Sequence, residues 1–246
     1  MRWFKYARLA VLPADRCRSL GFGGTEAMAQ QERARRTRAA IVEAAASEFA
    51  RRGYAAASVN TILEGSNATK GAMYFHFQSK EDLARAVLTA ALDRYVAITE
   101  KWLDSPLHPF EVIRGIIDDL ALGFQNDVIV RAEFRLIVEP EFYAEIQSGG
   151  GRVWGRAGVQ LARKAQEMGD LDPEFGPEKF IRVLSASLAG QRYMADLVSD
   201  SRDLRVMFEE SLEVVLHAMA SPAWLDRWKA EGWRENTAET ESDLPV

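Results

Sequence analysis

One short segment of this 246-residue chain carries side chains of the kinds that contact nucleic acids. If the segment forms a short helix in a major groove, Gly71 leaves room for the backbone to approach the bases, and Thr69 and Lys70 offer hydrogen-bond donors near the helix N-terminus. The positive end of the helix dipole favours phosphate at the same place. The side chains that we expect on backbone phosphates are Tyr74, His76 and Lys80.

The apolar residues of the same segment have a simpler expected role. Met73, Phe75 and Phe77 are interleaved with the polar residues, and at this spacing we expect them to pack inward. The two lysines could also be ordinary solvated charges, and His76 could be a structural or surface residue. Their place in one run favours a shared role in DNA contact.

Two short helices joined by a sharp turn would present this segment. Ser58 can cap a first helix that runs to Gly65. A break follows, in which Asn67 tolerates the positive φ that a sharp turn requires. Thr69 is a good N-cap for a second helix that runs to about Phe75.

Longer helices flank this pair. The segment from Arg33 to Arg52 has helical periodicity with one apolar side, and Gly53 ends it as a left-handed residue would. After the pair, Ser79 and Asp82 match a capping box at the start of a long helix that runs to about Leu103. The pattern therefore predicts a helix-turn-helix framed by two long helices.

Basic residues ahead of the helix-turn-helix extend the candidate contacts. Arg33 and Arg36 suit phosphate or minor-groove contact, and we add the Ser58 hydroxyl, although the arginines could also form a solvated helix face. Residues 1–80 carry 13 Lys and Arg against 6 Asp and Glu, whereas residues 81–246 carry 18 against 30. A basic N-terminal part suits a polyanion, and an acidic remainder limits nonspecific adhesion.

The rest of the chain has helical periodicity with little alternation of strand type, so we predict an all-α fold. A hydrophobic fraction of 48% is ample for a buried core. The apolar spacing predicts further helices near 110–125, 128–138, 152–168, 177–199 and 203–219, and a short one after Pro222. We predict a flexible extension at 1–28, a DNA-binding module at 29–80, a larger helical domain at 81–234 and a disordered tail at 235–246.

Several classes of site and location are disfavoured. Cys17 is the only cysteine, which excludes an intrachain disulfide and a Cys-rich metal site. The three histidines are far apart in sequence, so we expect no metal and no cofactor. No stretch approaches the ~20 apolar residues of a membrane span, and the apolar patch near the N-terminus is too short for a secretory signal. We expect a cytoplasmic protein with no membrane partner.

Motifs within residues 33–88 resemble the DNA-binding domain of the TetR family of repressors. They are Gly53-Tyr54, Thr69-Lys70-Gly71, Tyr74-Phe75-His76-Phe77 and Lys80-Glu81-Asp82-Leu83. The segment from Met28 to Ala34 further resembles the start of the γ-butyrolactone-type autoregulator receptors of actinomycetes. One departure is Ser66-Asn67-Ala68, where the family usually has Ala-Gly-Val, so Asn67 must adopt a conformation that Gly takes easily.

The resemblance implies a homodimer that binds double-stranded, pseudo-palindromic operator DNA and represses genes of secondary metabolism, such as antibiotic biosynthesis. A small effector of the γ-butyrolactone, furan or butenolide type would release it. The subfamily places a pocket tryptophan where this chain has Trp154, although from the residues alone core packing is the other interpretation. The further candidate pocket residues are Tyr95, Phe124, Gln125, Phe134, Ser187 and Gln191.

Two other functions compete with this one. An enzyme would need a nucleophile elbow, a Cys and His pair, a metal-ligand cluster or a Gly-rich phosphate loop, and the sequence has none of them. Glu139 and Glu141 flank Pro140, but neighbouring carboxylates on an acidic chain are typical surface charges. The second alternative is a TetR-type regulator of efflux or metabolism that responds to a drug or an acyl thioester.

Overall fold

Helices make up most of the chain in the computed structural model, which describes residues 24–144, 150–197 and 203–234, with side chains described for 27–144, 155–195, 197 and 203–234. In these ranges there are ten α-helices, a short 3-10 helix at Pro140–Phe142 and a single isolated β-bridge. The α-helices are α1 Gly24–Ala56, α2 Val59–Ser66, α3 Lys70–His76, α4 Lys80–Leu103, α5 Pro109–Asn126, α6 Val128–Leu136, α7 Gly150–Glu167, α8 Pro177–Leu197, α9 Leu204–Met219 and α10 Pro222–Glu231. The predicted all-α fold is confirmed.

The buried apolar side chains form two clusters. The first joins α1, α2 and α3 to the first half of α4 and to one face of α6, and Phe49, Ile62 and Leu83 lie at its centre. The second joins α5, α7, α8, α9 and α10, with Phe110 and Phe180 among its fully buried rings. The helix-turn-helix therefore has a core of its own, and α6 belongs to that core although it lies far along the chain.

The ends of the short helices follow the predicted local chemistry. The Ser58 and Thr69 hydroxyls accept hydrogen bonds from backbone N–H groups at the starts of α2 and α3, over 3.5 and 3.1 Å. Asn67 has a φ of 52° and is the only non-Gly residue with positive φ in the described ranges. Gly53 also has a positive φ, of 74°. Asn67 thus forms the sharp turn before α3, and Gly53 interrupts α1 near its end.

The capping box at α4 differs in one contact. Ser79 Oγ accepts from the Asp82 N–H over 3.0 Å, as predicted. Asp82 Oδ2 reaches back to the N–H of Gln78, also over 3.0 Å, instead of the N–H of Ser79. The side chain therefore closes the loop one residue earlier than a standard box.

The first helix begins earlier than predicted. It starts at Gly24, inside the segment that we expected to be flexible, because residues 25–32 are mostly good helix formers that extend the helix backwards. A pair between Arg36 and Glu32 over 3.0 Å adds support on its surface. The rest of the predicted extension and the tail predicted from Glu235 lie outside the described residues.

Candidate DNA-binding interface and effector cavity

The recognition helix α3 has one buried and one open face. Met73 and Phe77 are 1% and 4% exposed and hold the helix against α1 and α2, as predicted. Lys70, Gly71 and Tyr74 are exposed on the outer face. A Cβ added at Gly71 would meet only the Thr69 hydroxyl, at 4.0 Å, so the backbone there is open to a close approach from outside.

Phe75 corrects the sequence prediction. We expected it to pack inward, but it is 81% exposed and lies beside the half-buried His76, whose ring centroid is 5.0 Å away in an edge-on arrangement. The reason is helical geometry, because Met73 and Phe77 already occupy the inward positions four residues apart. A large apolar side chain is thus presented on the outer surface of α3.

Lys80 has a different role from the phosphate contact that we expected. Its ammonium donates to the carbonyl oxygens of Tyr54, Ala55 and Ala57 over 2.8, 3.2 and 3.3 Å, and lies 4.7 Å from the centroid of the Tyr54 ring. An ammonium has three N–H donors, so these bonds use all of them. Lys80 therefore joins the start of α4 to the end of α1.

Glu48 is a structural residue that the sequence analysis missed. Its side chain is buried on α1 and accepts hydrogen bonds from the Ser58 N–H over 3.1 Å and from Arg51 over 2.6 Å. Burial would raise the pKa of this carboxyl, but these two bonds, together with the positive charges of Arg51 and Arg52, outweigh it and hold the pKa below its ordinary value. Ser58 is thereby held at the start of α2 through both its backbone and its hydroxyl.

The remaining predicted DNA contacts lie on the outside of the module. Arg33 and Arg36 are exposed on the N-terminal part of α1, ahead of its buried stripe. The Thr69 hydroxyl is exposed as well, although it caps α3. Together with Lys70 and Tyr74, these side chains are available to a polyanion.

A predominantly apolar cavity of about 230 Å³ lies in the C-terminal domain, between α4, α5, α6, α8 and α9. Three of the predicted pocket residues, Tyr95, Phe124 and Phe134, line it. The other lining residues are Thr99, Ile116, Leu120, Glu133, Ile137, Ser185, Leu188, Ala189, Arg192 and Phe208.

Three predicted pocket residues do not line the cavity. The exposed Gln125 side chain donates to Asp203 over 2.6 Å, at the surface. The cavity face of α8 is formed by positions 185, 188, 189 and 192, and the helical period turns Ser187 and Gln191 away from it. For Trp154, the side chain lies outside the described residues, and its place on α7 is the only part of the prediction that the structure describes.

The cavity has a small polar side. Tyr95 Oη donates to Glu133 Oε2 over 2.8 Å, and the Thr99 hydroxyl donates to the Tyr95 carbonyl over 2.7 Å. Burial and the neighbouring Glu133 carboxylate raise the pKa of Tyr95 well above its ordinary value.

The Arg192 guanidinium lies over the rings of Phe124 and Phe134, at 5.6 and 5.1 Å from their centroids. The polar lining residues Thr99, Glu133, Ser185 and Arg192 were not among the pocket residues predicted from the sequence.

Exposed apolar side chains gather on α8 and α9. This apolar face, as we call it, consists of Val183, Tyr193, Met194 and Leu197 on α8 and Val206 and Val214 on α9. Large exposed apolar residues that cluster on adjacent helices are typical of a protein interface.

A helix-turn-helix with an open recognition helix, joined to a helical domain that contains an apolar cavity, defines a ligand-responsive DNA-binding regulator. A family model described as "Bacterial regulatory proteins, tetR family" matches residues 41–87. The chain is 31% identical over 208 residues to the A-factor receptor protein of Streptomyces griseus, a match that covers 83% of this chain and 71% of the relative. The chain belongs to the TetR family.

Solved structures agree with this assignment. TylP of Streptomyces fradiae, a TetR regulator, is similar with a TM-score of 0.61 and 30% identity, over 88% of this chain and 95% of TylP. A structure that concerns the control of antibiotic production by bacterial hormones has a TM-score of 0.64 and 30% identity, over 75% of this chain and 98% of that one. The protein is a ligand-responsive transcriptional repressor that binds DNA as a homodimer. Within the described residues, no helix is long and apolar enough to cross a membrane.

Proposed function

We propose that this protein represses genes of secondary metabolism, including antibiotic biosynthesis, and leaves its operator when a lipophilic signalling molecule occupies the cavity. The proposed effector is of the γ-butyrolactone, furan or butenolide type. The similarity to the A-factor receptor protein supports this class, and so does a cavity that is mainly apolar with a few polar groups. We place the protein in the cytoplasm, where its DNA lies.

The dimer would read two half-sites. The apolar face on α8 and α9 is the surface that we assign to the partner copy, since both helices lie far from α3 in the chain and expose six large apolar side chains. Two recognition helices would then enter successive major grooves of a pseudo-palindrome. The side chains that we assign to DNA contact are Arg33, Arg36, Thr69, Lys70, Gly71, Tyr74, Phe75 and His76.

The observation that carries the proposal is the position of α6. One face of this helix, with Ile129, Ala132 and Leu136, belongs to the core of the DNA-binding module. Glu133 and Phe134 of the same helix line the cavity. An effector that displaces these side chains moves a helix that belongs to the core beneath α3.

The required coupling is ordinary in size. To lower operator affinity ~100-fold, the effector must favour the non-binding conformer by roughly 3 kcal/mol. A nine-residue helix shared by two cores can transmit such a difference, because packed cores switch between arrangements instead of deforming continuously.

A gel shift tests the proposal. The purified protein is incubated with the DNA that flanks its own gene, and lipophilic culture extract or a pure γ-butyrolactone, furan or butenolide is added. We expect a retarded band that the effector abolishes. Release only by a drug or an acyl thioester would favour the efflux or metabolic alternative. If no retarded band forms at low salt, the proposal that the protein represses from this flanking DNA is wrong. In a matched variant, Leu120→Trp, the larger side chain fills the cavity. This variant should still retard the DNA, but the effector should no longer release it.

A further inference from the structure

The Glu133 carboxyl sits in an unusual place, on the wall of a mainly apolar cavity. Tyr95 Oη is its hydrogen-bond partner, at 2.8 Å from Oε2, and within the described residues no second partner reaches the carboxyl. The neighbouring lining side chains include Ile116, Leu120 and Phe134. The other oxygen, Oε1, is therefore left for a molecule in the cavity.

The surroundings provide little compensation for a negative charge. Among the described residues, the titratable groups that line the cavity with Glu133 are Tyr95 from α4 and Arg192 from α8, while α5 and α9 contribute apolar residues only. The Arg192 guanidinium lies over two aromatic rings. Asp127, at the start of α6, is already paired with Arg94 over 2.8 Å. Toward α1, the helix presents apolar side chains, and its Arg131 and Arg135 line a separate cleft with Arg51 of α1.

An ionised carboxylate with one hydrogen bond in such a setting is costly, whereas the neutral acid is not. Burial raises the pKa of Glu133 to about 7, and the hydrogen bond from Tyr95 opposes the rise only in part. Near neutral pH the neutral form is thus readily available. A neutral acid also has a donor that a carboxylate lacks.

We propose that Glu133 binds the effector as a neutral carboxylic acid, whose Oε2 accepts from Tyr95 and whose O–H donates to the carbonyl oxygen of a lactone or butenolide ring. This inference rests on the proposed function and specifies its ligand chemistry: an uncharged lipophilic molecule with a carbonyl acceptor. Ring ethers without a carbonyl bind less well. Effector affinity falls as pH rises, because ionisation removes the donor.

The test measures lactone binding against pH. The probes are γ-decalactone and hexyltetrahydrofuran, which is the same molecule without the carbonyl, and binding to the full chain is followed by calorimetry. With a pKa near 7, wild-type affinity for the lactone should fall about thirtyfold between about pH 5.5 and about pH 8.5. Glu133→Gln keeps an N–H donor and does not titrate, so its affinity should change less than about twofold over this range.

A second variant keeps the test decisive if Glu133→Gln does not fold. Tyr95→Phe removes the hydrogen bond that favours the carboxylate, so the pH at which lactone affinity is half lost should rise. An unchanged midpoint in this variant, or a wild-type affinity that is flat with pH, would overturn the inference. Equal binding of the ether and the lactone at about pH 6, or no lactone binding there, would do the same.

Operator release separates this inference from the proposed function. If the lactone releases operator DNA equally well at both pH values, the repressor assignment stands and the role of Glu133 is wrong. If none of the lactone, furan or butenolide probes releases the operator at any pH, the proposed effector class itself fails.

Discussion

The Lys80 ammonium donates to the Tyr54 carbonyl oxygen over 2.8 Å and lies above the ring of the same residue. These two residues are 26 positions apart, and between them lie the whole of α2, the turn and α3. The contact therefore closes the helix-turn-helix into a loop, whose two ends are joined by one side chain.

Lys80→Met should lower the stability of the DNA-binding module. The substitution keeps the aliphatic stem and removes charge-assisted hydrogen bonds to carbonyl oxygens, so we expect the free energy of unfolding to fall by ~2 kcal/mol. Urea denaturation of wild type and variant measures it. If the variant is as stable as wild type but binds the operator more weakly and with a smaller dependence of affinity on salt, Lys80 contacts a DNA phosphate, as predicted from the sequence.

Lys70→Ala should affect DNA binding and leave the stability of the module unchanged. Lys70 is exposed on α3, so its loss should leave the urea midpoint unchanged and weaken operator binding. If Lys70 contacts a base edge, discrimination at one operator position falls by ~1 to 3 kcal/mol. A panel of operators with single base changes distinguishes a base contact from a phosphate contact. If the variant binds every operator of the panel with the affinity of wild type, Lys70 does not contact DNA.

Phe75→Ala tests an apolar contact to DNA. We expect the exposed ring to pack on a thymine methyl group in the major groove, a contact worth about 0.8 kcal/mol or about fourfold in affinity per half-site. Replacing thymine by uracil in the operator removes the methyl group. Wild type should bind the uracil operator more weakly, whereas the variant should not distinguish the two. An equal loss in both proteins would show that Phe75 contacts something else.

Glu48→Gln should alter how stability depends on pH. The folded-state pKa of Glu48 lies below its ordinary value of 4.5, so the unfolded state binds the proton more readily. The stabilisation is complete at neutral pH and is lost as pH falls below about 4.5 and through the folded-state pKa. The free energy of unfolding of the variant should be ~1 to 3 kcal/mol lower than that of wild type at pH 7. Between pH 7 and about pH 3 it should therefore fall less steeply with pH than that of wild type. An equal fall of the free energy of unfolding in wild type and variant over this pH range would contradict the prediction.

The sequence was most informative where the determinants are local. Ser58, Asn67 and Thr69 act on backbone groups within three residues of themselves, and their types alone predicted the two short helices and the turn. The periodicity of the long helices likewise placed most of their ends within a few residues.

Contacts between distant segments were out of reach of the same reasoning. Lys80 is bonded to the end of a helix more than 20 residues earlier, and Glu133 meets Tyr95 across 38 positions. On α8, Ser187 and Gln191 were predicted to line the pocket, but only the direction of the cavity decides which side of a helix faces it. Phe75 was misplaced because apolar character alone does not tell a core residue from an exposed one.

The shared helix α6 matters for engineering this protein into a biosensor. Libraries that retune effector choice at Phe134 or Ile137 would also disturb Ala132 and Leu136 on the same short helix, and so raise expression in the uninduced state. Substitutions at Leu120 or Leu188, on helices that contribute nothing to the first core, should change the inducer while leaving basal leakage low. Screens for new inducers should therefore begin on α5 and α8.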